Sequence, residues 1–315
     1  MVRVPLLVLA AGQRCGSTLV QRLLSSHPEV LIWGEHAGQL RQILAVGERL
    51  GSWTAELGQL GRLGYARSGH QSFMANMTPE AAHIDEAVRA FTETLFAAPA
   101  AAMGRPIWGF KEVRYGLPEA VALHRLFPGC RVVHIVRDPR DILRSLEVWE
   151  RANWSRSDTE VAVGDWIRVA DSFWSATADL PPWVLRMRYE DLIADPMRWS
   201  SRIAEHCGLD ADLFDPGVFD RRIHSIGLGG RTRRDLKDWA DLPASLRGLL
   251  DGDEVRAVAA ACGYDLDGDH ELGSGQDLGS NQDLGSGQNL GSGDVGSDQN
   301  LSSDQNFSSD AGSHG

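Results

Sequence analysis

One stretch near the N-terminus constrains the fold more than any other: an apolar run that ends in a glycine-bounded loop and continues as a helical pattern. Residues 4–10 are apolar and Gly12 follows them, which predicts a buried central strand of a parallel sheet. After Gly16, apolar residues recur at helical spacing as far as His27-Pro28, where proline ends the helix. A strand, a short loop and a helix in this order favour an α/β fold.

Strand and helix patterns continue to alternate along the chain. Further strands are predicted at Val30–Trp33, Ile107–Phe110, Arg131–Val136 and Trp183–Met187. Helices are predicted over Leu117–Phe127, from Asp138-Pro139 onward and over Pro196–Cys207, with residues 37–105 mostly helical. The alternation predicts one domain, residues 1–265, with a P-loop-type three-layer fold: a central parallel sheet flanked by helices.

The last fifty residues differ from the rest of the chain. Within residues 266–315 a six-residue unit such as DLGSGQ recurs, with one apolar residue in each unit. That is too little burial to offset the entropy of ordering the chain, so the segment is predicted to be a disordered low-complexity tail. Ten acidic residues and no Lys or Arg lie from Asp265 onward, which leaves 31 basic and 33 acidic residues before it. A nearly neutral body argues against a nucleic-acid partner.

Apolar runs and cysteines bear on the compartment. The longest apolar runs fall short of the ~18 residues that a membrane span needs, so no membrane partner is expected. The N-terminal residues could also be interpreted as a signal peptide, but they fit a strand that opens a loop better. The four cysteines show no C-x-x-C pair, which argues against a zinc site and a disulfide framework and predicts a cytoplasmic protein. They are Cys15, Cys130, Cys207 and Cys262.

The loop Ala11–Leu19, with the sequence AGQRCGSTL, has the setting of a phosphate-binding loop. Backbone N–H groups and a helix N-terminus can hold an anion there. An ATP- or GTP-binding loop has lysine where this chain has Ser17, and its absence argues against ordinary nucleoside triphosphate hydrolysis. Arg14 supplies a cation instead, and Ser17 and Thr18 supply hydroxyl groups. The alternative is a simple glycine turn that caps a helix.

A second motif, Val132–Ser145, follows the same logic. Arg137 lies at the carboxyl end of a predicted strand, where open α/β sheets bind ligands. Asp138 can cap the next helix, and Ser145 lies about two helical turns further on, on the same side. An arginine and a serine hydroxyl would suit a second phosphate. The alternative is a well-capped helix start without a ligand.

Together the two motifs, x-R-x-G-[ST]-T-L and strand-R-D-P-R-D-x-x-x-S, resemble the sulfotransferase family over roughly residues 1–265. The resemblance implies a sulfuryl donor, 3′-phosphoadenosine-5′-phosphosulfate (PAPS), its product 3′-phosphoadenosine-5′-phosphate (PAP), and no metal. It also implies that the first motif holds the 5′-phosphosulfate and the second the 3′-phosphate. By match, the residues are Gln13, Arg14, Cys15, Gly16, Ser17 and Thr18 in the loop, and Arg137 and Ser145 in the second motif.

The motif pattern is most similar to the Golgi-type branch, particularly the tyrosylprotein sulfotransferases. The segments RCGSTL, HPEV and GE continue that pattern, as does LFP followed by VRD. Cys15 replaces a usual serine, and His36 stands where that branch often has a second glutamate. The resemblance supports the chemistry and the fold; the acceptor hydroxyl remains open among carbohydrates, tyrosine or other phenols, and small molecules.

The resemblance also implies catalytic roles for Glu35, Lys111 and Arg14. Glu35 follows the second predicted strand and would act as general base, a role that burial favours if it raises the pKa of the carboxyl group. His36 is the alternative base. Lys111, expected just after its strand, would join Arg14 in stabilising the leaving group. A surface carboxylate and a solvated lysine are the alternatives to these roles.

Two later segments complete the predicted nucleotide site. Tyr189 begins a Y-E-D-L block that resembles a family block near the adenine, although a core tyrosine is equally consistent. The basic stretch 231–237 resembles a segment that folds over the nucleotide, with Arg231 as the predicted contact; a solvated charged face is the alternative. The sequence therefore predicts a PAPS-dependent sulfotransferase. A small-molecule kinase that needs Mg²⁺ and ATP, and a non-catalytic nucleotide-binding protein, are the other hypotheses.

Overall fold

A computed structural model describes residues 4–150, 156–175, 180–220 and 238–267. Its centre is one five-stranded, fully parallel sheet with the strand order β2-β3-β1-β4-β5. The strands are β1 (Leu6–Ala10), β2 (Val30–Trp33), β3 (Ile107–Glu112), β4 (Arg131–Val136) and β5 (Val184–Arg188). All five predicted strands are present, and the predicted α/β architecture with a central parallel sheet flanked by helices is confirmed.

Helices connect the strands. In chain order they are α1 (Ser17–Ser26), α2 (Leu40–Trp53), α3 (Gln59–Ser68), α4 (Ala81–Thr92), α5 (Ala98–Ala102), α6 (Leu117–Leu126), α7 (Pro139–Glu150), α8 (Arg156–Trp174), α9 (Tyr189–Ala194), α10 (Pro196–Cys207), α11 (Ala244–Arg247) and α12 (Asp253–Ala261). π-helical turns at Thr54–Gly58 and Glu93–Ala97 join α2 to α3 and α4 to α5. Helix α8 was not predicted.

Strand β1 is the most deeply buried element. Its five residues expose 4% or less of their surface, so helices cover both faces of the sheet there. Strand β3 packs so closely against it that a Cβ atom on Gly109 would lie 1.8 Å from the Leu6 carbonyl oxygen. Only glycine fits at that position. This close approach explains why Gly109 stands among the apolar and aromatic residues that begin β3.

The strand order determines where the site lies. All strands are parallel, so their carboxyl ends meet at one edge of the sheet. The chain places β3 on one side of β1 and β4 on the other, and ligands of open α/β sheets bind where the order reverses in this way. Because β3 stands between β1 and β2, the ends of β1 and β2 are two strand spacings, about 10 Å, apart.

Strand β3 is longer than predicted, which corrects the environment of one candidate residue. The prediction ended the strand at Phe110 and placed Lys111 beyond it. In the structure, parallel pairing with β1 continues through Lys111 and Glu112, opposite Val8 and Leu9. Lys111 is therefore buried, with 6% of its surface exposed, and is not a solvated lysine at a strand end.

Two predicted segments lie outside the residues that the structure describes. The tail from residue 268 onward and the basic stretch 231–237 are not among the described residues, so the predicted domain boundary and disorder stay predictions. Within the described ranges, no helix combines the length and apolar character needed to cross a membrane.

Candidate active site

The loop between β1 and α1 adopts the backbone conformation of an anion cradle. Gly12, Arg14 and Gly16 have positive φ angles of 78°, 64° and 91°. Turns that contain left-handed residues can direct successive N–H groups toward one anion. Helix α1 begins directly after the loop and has no acidic residue in its first turn, so its positive dipole end also faces this point. Arg14 is strained for a residue with a side chain, as residues at functional sites often are.

Tyr189 packs against this loop. A Cβ atom on Gly16 would lie 2.3 Å from Cδ2 of the Tyr189 ring, so the ring occupies the space that glycine leaves. The guanidinium of Arg137 lies 4.5 Å from the centre of the same ring. Tyr189 therefore links the loop to the second motif, which is a contact that the sequence did not predict.

The two predicted anion motifs converge on Arg14. Its Nε donates a hydrogen bond to Ser145 Oγ at 2.9 Å, and its carbonyl oxygen accepts one from Arg137 at 3.2 Å. The other end of Arg137 pairs with Asp141 Oδ2 at 3.2 Å. Nε of Arg137 is buried and finds no hydrogen-bond partner within the described part of the chain. Residues 131 positions apart thus form one cationic cluster.

The charges of this cluster favour an anion. Burial lowers the pKa of Arg14, and the neighbouring charge of Arg137 lowers it further. Burial also acts against the charge of Arg137, but Asp141, Tyr189 and Glu190 outweigh it and raise the pKa of that guanidinium. Arginine remains protonated in proteins, so two neighbouring cations are held at the end of β1 and β4. Such an arrangement suits a ligand with more than one negative charge.

Cys15 contributes to the loop by closing its turn. Its thiol is fully buried and donates a hydrogen bond to the Ala11 carbonyl oxygen at 2.7 Å. Burial raises the pKa of the thiol, so the side chain stays neutral. Ser17 is also buried, whereas Gln13 and Thr18 are partly exposed.

The predicted catalytic pair meets at the carboxyl ends of β2 and β3. Lys111 Nζ lies 2.5 Å from Glu35 Oε1, and Arg114 donates a hydrogen bond to Glu35 Oε2 at 3.1 Å. The pKa of Glu35 is not raised by its surroundings. Burial does raise the pKa, but the hydrogen bonds and charges of Lys111 and then Arg114 outweigh burial and lower the pKa below its usual value.

His36, the alternative base, is held in an aromatic cluster. Its ring lies 4.9 Å from Phe110 and 5.7 Å from Phe96, measured between ring centres. Its Nε2 shares a hydrogen bond of 2.9 Å with the Tyr115 hydroxyl group. Burial lowers the pKa of His36, and the opposing charge of Glu112 does not reverse that direction.

Sequence reasoning missed two carboxylates and one arginine near the site. Glu190 accepts hydrogen bonds from the Asp138 backbone N–H at 3.1 Å and from the Tyr264 hydroxyl at 2.8 Å, which ties the second motif to the C-terminal segment. Burial raises the pKa of Glu190. Arg114 and Glu112 flank the Glu35–Lys111 pair. All three residues lie within three positions of Lys111 or Tyr189, and this proximity in sequence was the available signal.

The remaining site predictions have mixed outcomes. Asp138 accepts a hydrogen bond from the Arg140 backbone N–H at 2.8 Å, which confirms it as the cap of α7. Arg231 is not among the described residues, so its nucleotide contact stays a prediction. No group of histidine, cysteine, aspartate and glutamate side chains in the described ranges is arranged to hold a metal ion.

The fold and the site define a parallel α/β protein with a lysine-free phosphate loop and a second arginine–serine motif at the same sheet edge. Comparison with known families then gives the particular assignment. The model of the sulfotransferase family matches residues 5–213, and the chain belongs to the sulfotransferase family. No curated protein matches the chain significantly.

Solved structures are similar to this chain at low sequence identity. The sulfotransferase domain from the Synechococcus PCC 7002 olefin synthase is 18% identical, over 84% of this chain and 96% of its own, with a TM-score of 0.48. The sulfotransferase domain from the curacin biosynthetic pathway is 15% identical, over 84% of this chain and 99% of its own, with a TM-score of 0.46. Mouse sulfotransferase SULT7A1, complexed with PAP, is 12% identical over 82% of this chain and 88% of its own, with a TM-score of 0.44.

Proposed function

We propose that this sulfotransferase moves the sulfuryl group of PAPS to an acceptor hydroxyl and releases PAP. The observation that carries the proposal is the hydrogen bond from Arg14 Nε to Ser145 Oγ, because it joins the phosphate loop to the second anion motif. A donor with phosphate groups at both its 3′ and 5′ positions needs two such sites side by side. The loop then holds the 5′-phosphosulfate, and Arg137 and Ser145 hold the 3′-phosphate.

The residues at the loop fit such a donor. Three residues of the loop, Gly12, Arg14 and Gly16, have positive φ angles, a backbone shape suited to directing N–H groups at an anion. The buried Nε of Arg137 has no protein partner among the residues described, and a phosphate oxygen would supply one. The site differs from that of a nucleoside triphosphatase because Ser17 replaces the lysine that reaches the outer phosphates.

Sulfuryl transfer needs a base on the acceptor side, and we assign that role to Glu35. The acceptor oxygen attacks sulfur, the bond between sulfur and the 5′-phosphate oxygen breaks, and the hydroxyl proton passes to Glu35. Glu35 is one-third exposed, so an acceptor can reach it from solvent, and its lowered pKa keeps it deprotonated at neutral pH. His36 is less suited, because its Nε2 is engaged by Tyr115 and its ring packs on Phe110.

Lys111 connects the two halves of the reaction. As Glu35 takes the proton, negative charge leaves the carboxylate and grows on the departing phosphate oxygen. Lys111 belongs to β3, which lies between the strand that leads to Glu35 and the strand that leads to the phosphate loop. Its ammonium group can therefore neutralise first the Glu35 carboxylate and then the departing phosphate oxygen. Arg14 adds a second cation at the phosphate. We propose that these side chains, without a metal, stabilise the leaving group.

The acceptor is proposed only as a class: a hydroxyl group on a carbohydrate, a tyrosine or another phenol, or a small molecule. Glu35 and Lys111 act on the hydroxyl and the sulfuryl group and do not select among these. A mass-spectrometric screen of hydroxyl compounds incubated with PAPS and enzyme, with the gain of one sulfuryl group as readout, identifies the acceptor. Glu35→Gln is the matched control, because it keeps the shape of the side chain and removes the base.

Calorimetry tests the donor half of the proposal. We expect PAP to bind the wild-type protein without added metal, and binding to be lost when Arg137 and Ser145 are both replaced by alanine. ATP with Mg²⁺ should bind much more weakly than PAP. Absence of PAP binding, or unchanged binding in the double variant, would rule out the proposed donor site. Preference for ATP with Mg²⁺ would favour a kinase instead.

A further inference from the structure

The carboxyl group of Glu112 is completely buried at the end of β3. A charged side chain in such a place is normally held by several partners. Its Oε1 accepts hydrogen bonds from the backbone N–H of Val113 at 2.9 Å and from Arg114 at 3.0 Å. Its Oε2 accepts one from the backbone N–H of Gly38 at 2.8 Å. Two of these donors belong to its own segment, and the third lies in the loop that follows β2.

That loop has an unfavourable backbone conformation. Ala37 and Gly38 have consecutive positive φ angles of 54° and 71°. Residues with a Cβ atom rarely adopt the left-handed region, so the turn needs contacts from outside the loop to be stable. The hydrogen bond from the Gly38 N–H to Glu112 is such a contact, and it acts three residues after Glu35.

The same carboxylate also controls the arginine that faces the base. One nitrogen of Arg114, Nη1, donates to Glu112 Oε1 and to Glu35 Oε2, at 3.0 and 3.1 Å. Glu112 therefore orients Arg114 through one hydrogen bond, and Arg114 orients Glu35 through another. The hydroxyl of the next residue, Tyr115, accepts a hydrogen bond from the Arg41 backbone N–H at 2.8 Å, beyond the turn. The segment that ends β3 thus holds the chain after Glu35 at two points, Gly38 and Arg41.

We propose that Glu112 is a positioning residue that sets the location of Glu35 relative to Lys111. It does not touch the reacting atoms and acts through Gly38 and Arg114. Both oxygens must be acceptors, because the backbone N–H groups and the arginine that they contact are donors. Glutamine at this position places an NH₂ group at one of the two oxygen positions, so either the Gly38 contact or the contacts with Val113 and Arg114 are lost. This inference rests on the proposed role of Glu35 as general base.

The test compares Glu112→Gln with a matched control, Glu119→Gln. Glu119 also accepts a backbone N–H, from Gly116 at 2.8 Å, and pairs with an arginine, Arg41, at 2.7 Å, but at the start of α6. We expect Glu112→Gln to lower kcat by about 10- to 100-fold, the range that a small misplacement of a reacting group produces. PAP affinity and the KM for PAPS should stay within about twofold, and Glu119→Gln should keep most of its kcat.

A pH profile separates positioning from general loosening. The charged and titratable groups around Glu35 are Lys111 and Arg114 from the β3 segment, His36 from its own loop and Glu112 behind Arg114. Arg114→Gln keeps Glu112 in place and removes the bridge to Glu35. Because Arg114 lowers the pKa of Glu35, the acid limb of kcat/KM should move to higher pH in this variant, and kcat should fall. Arg114 is partly exposed and Glu112 keeps its two backbone N–H donors in this variant, so the variant is expected to fold.

Unchanged kcat in Glu112→Gln, or an equal loss of PAP affinity and kcat, would overturn the inference. An equal loss of kcat in Glu119→Gln would also overturn it. If Glu112→Gln does not fold, Arg114→Gln decides: unaltered kcat and pH profile there reject the positioning role. The proposed function fails differently, because then the wild-type protein itself neither binds PAP nor transfers a sulfuryl group.

Discussion

Replacing Gly16 by alanine tests whether the phosphate loop needs the backbone shape seen in the structure. Gly16 has a φ of 91°, and a Cβ atom there would lie 2.3 Å from Tyr189. Alanine in the left-handed region costs about 1–2 kcal/mol. The Tyr189 ring must also move to make room, which disturbs its cation–π contact with Arg137, worth about 0.5–2 kcal/mol.

The two costs together amount to about 1.5–4 kcal/mol. Since each 1.4 kcal/mol is about tenfold in a binding constant, PAP affinity should fall between about tenfold and several hundredfold. Isothermal titration calorimetry with PAP measures this loss directly. Gly51→Ala is the control, because a Cβ atom on Gly51, in α2, would have no atom within 4 Å, and PAP affinity should stay unchanged.

A double-mutant cycle separates the steric part from the backbone part. In a Tyr189→Ala background the ring no longer opposes the new methyl group, so Gly16→Ala should cost only the backbone term. The two substitutions should therefore be less than additive. Wild-type affinity in Gly16→Ala, or strict additivity in the cycle, would refute the reasoning that the loop conformation and the Tyr189 contact create the anion site.

Two further predictions concern the leaving group and the C-terminal segment. Lys111→Ala should lower kcat by at least ~100-fold, as loss of one oxyanion donor does, and near-normal turnover would reject the role. The same change removes the main cause of the lowered Glu35 pKa, so the acid limb of the pH–rate profile should move to higher pH. Tyr264→Phe removes the hydroxyl group that donates a hydrogen bond to Glu190, and should weaken PAP binding about 2- to 12-fold, as loss of one hydrogen bond does. Tyr65→Phe, at an exposed position, is the control and should leave PAP binding unchanged. Equal effects of the two substitutions would count against a contribution of the Tyr264–Glu190 hydrogen bond to the site.

The sheet was predictable because its strands carry their signal locally. A continuous apolar run such as Leu6–Ala10 is compatible with burial on both faces, and turn residues mark where it ends. Helix α1 was predictable for the same reason, from apolar spacing between Gly16 and His27. Prediction was less accurate at β3, because the strand continues through Lys111 and Glu112, and local sequence does not indicate that charged residues pair with a buried neighbour.

The candidate site was predicted in its parts and not in its connections. The loop and the second motif were each predicted to be anion sites from local patterns, but the hydrogen bond between Arg14 and Ser145 depends on the pairing of β1 with β4. The direction of the Glu35 pKa shift could not be predicted, because Lys111 and Arg114 approach from more than 70 residues away in sequence. The bond between Tyr264 and Glu190 has no counterpart in any local pattern.

The sequence by itself determined the sheet-and-helix architecture, the phosphate loop and the types of charged residue available at the strand ends. Those properties depend on neighbours a few positions apart, through apolar periodicity, proline and glycine. Only the tertiary structure decided which of these charges meet, that Glu35 is an ion-paired carboxylate with a lowered pKa, and that Glu112 lies buried behind it. These outcomes depend on distances through space and on burial, and both are set by the order in which parallel strands assemble.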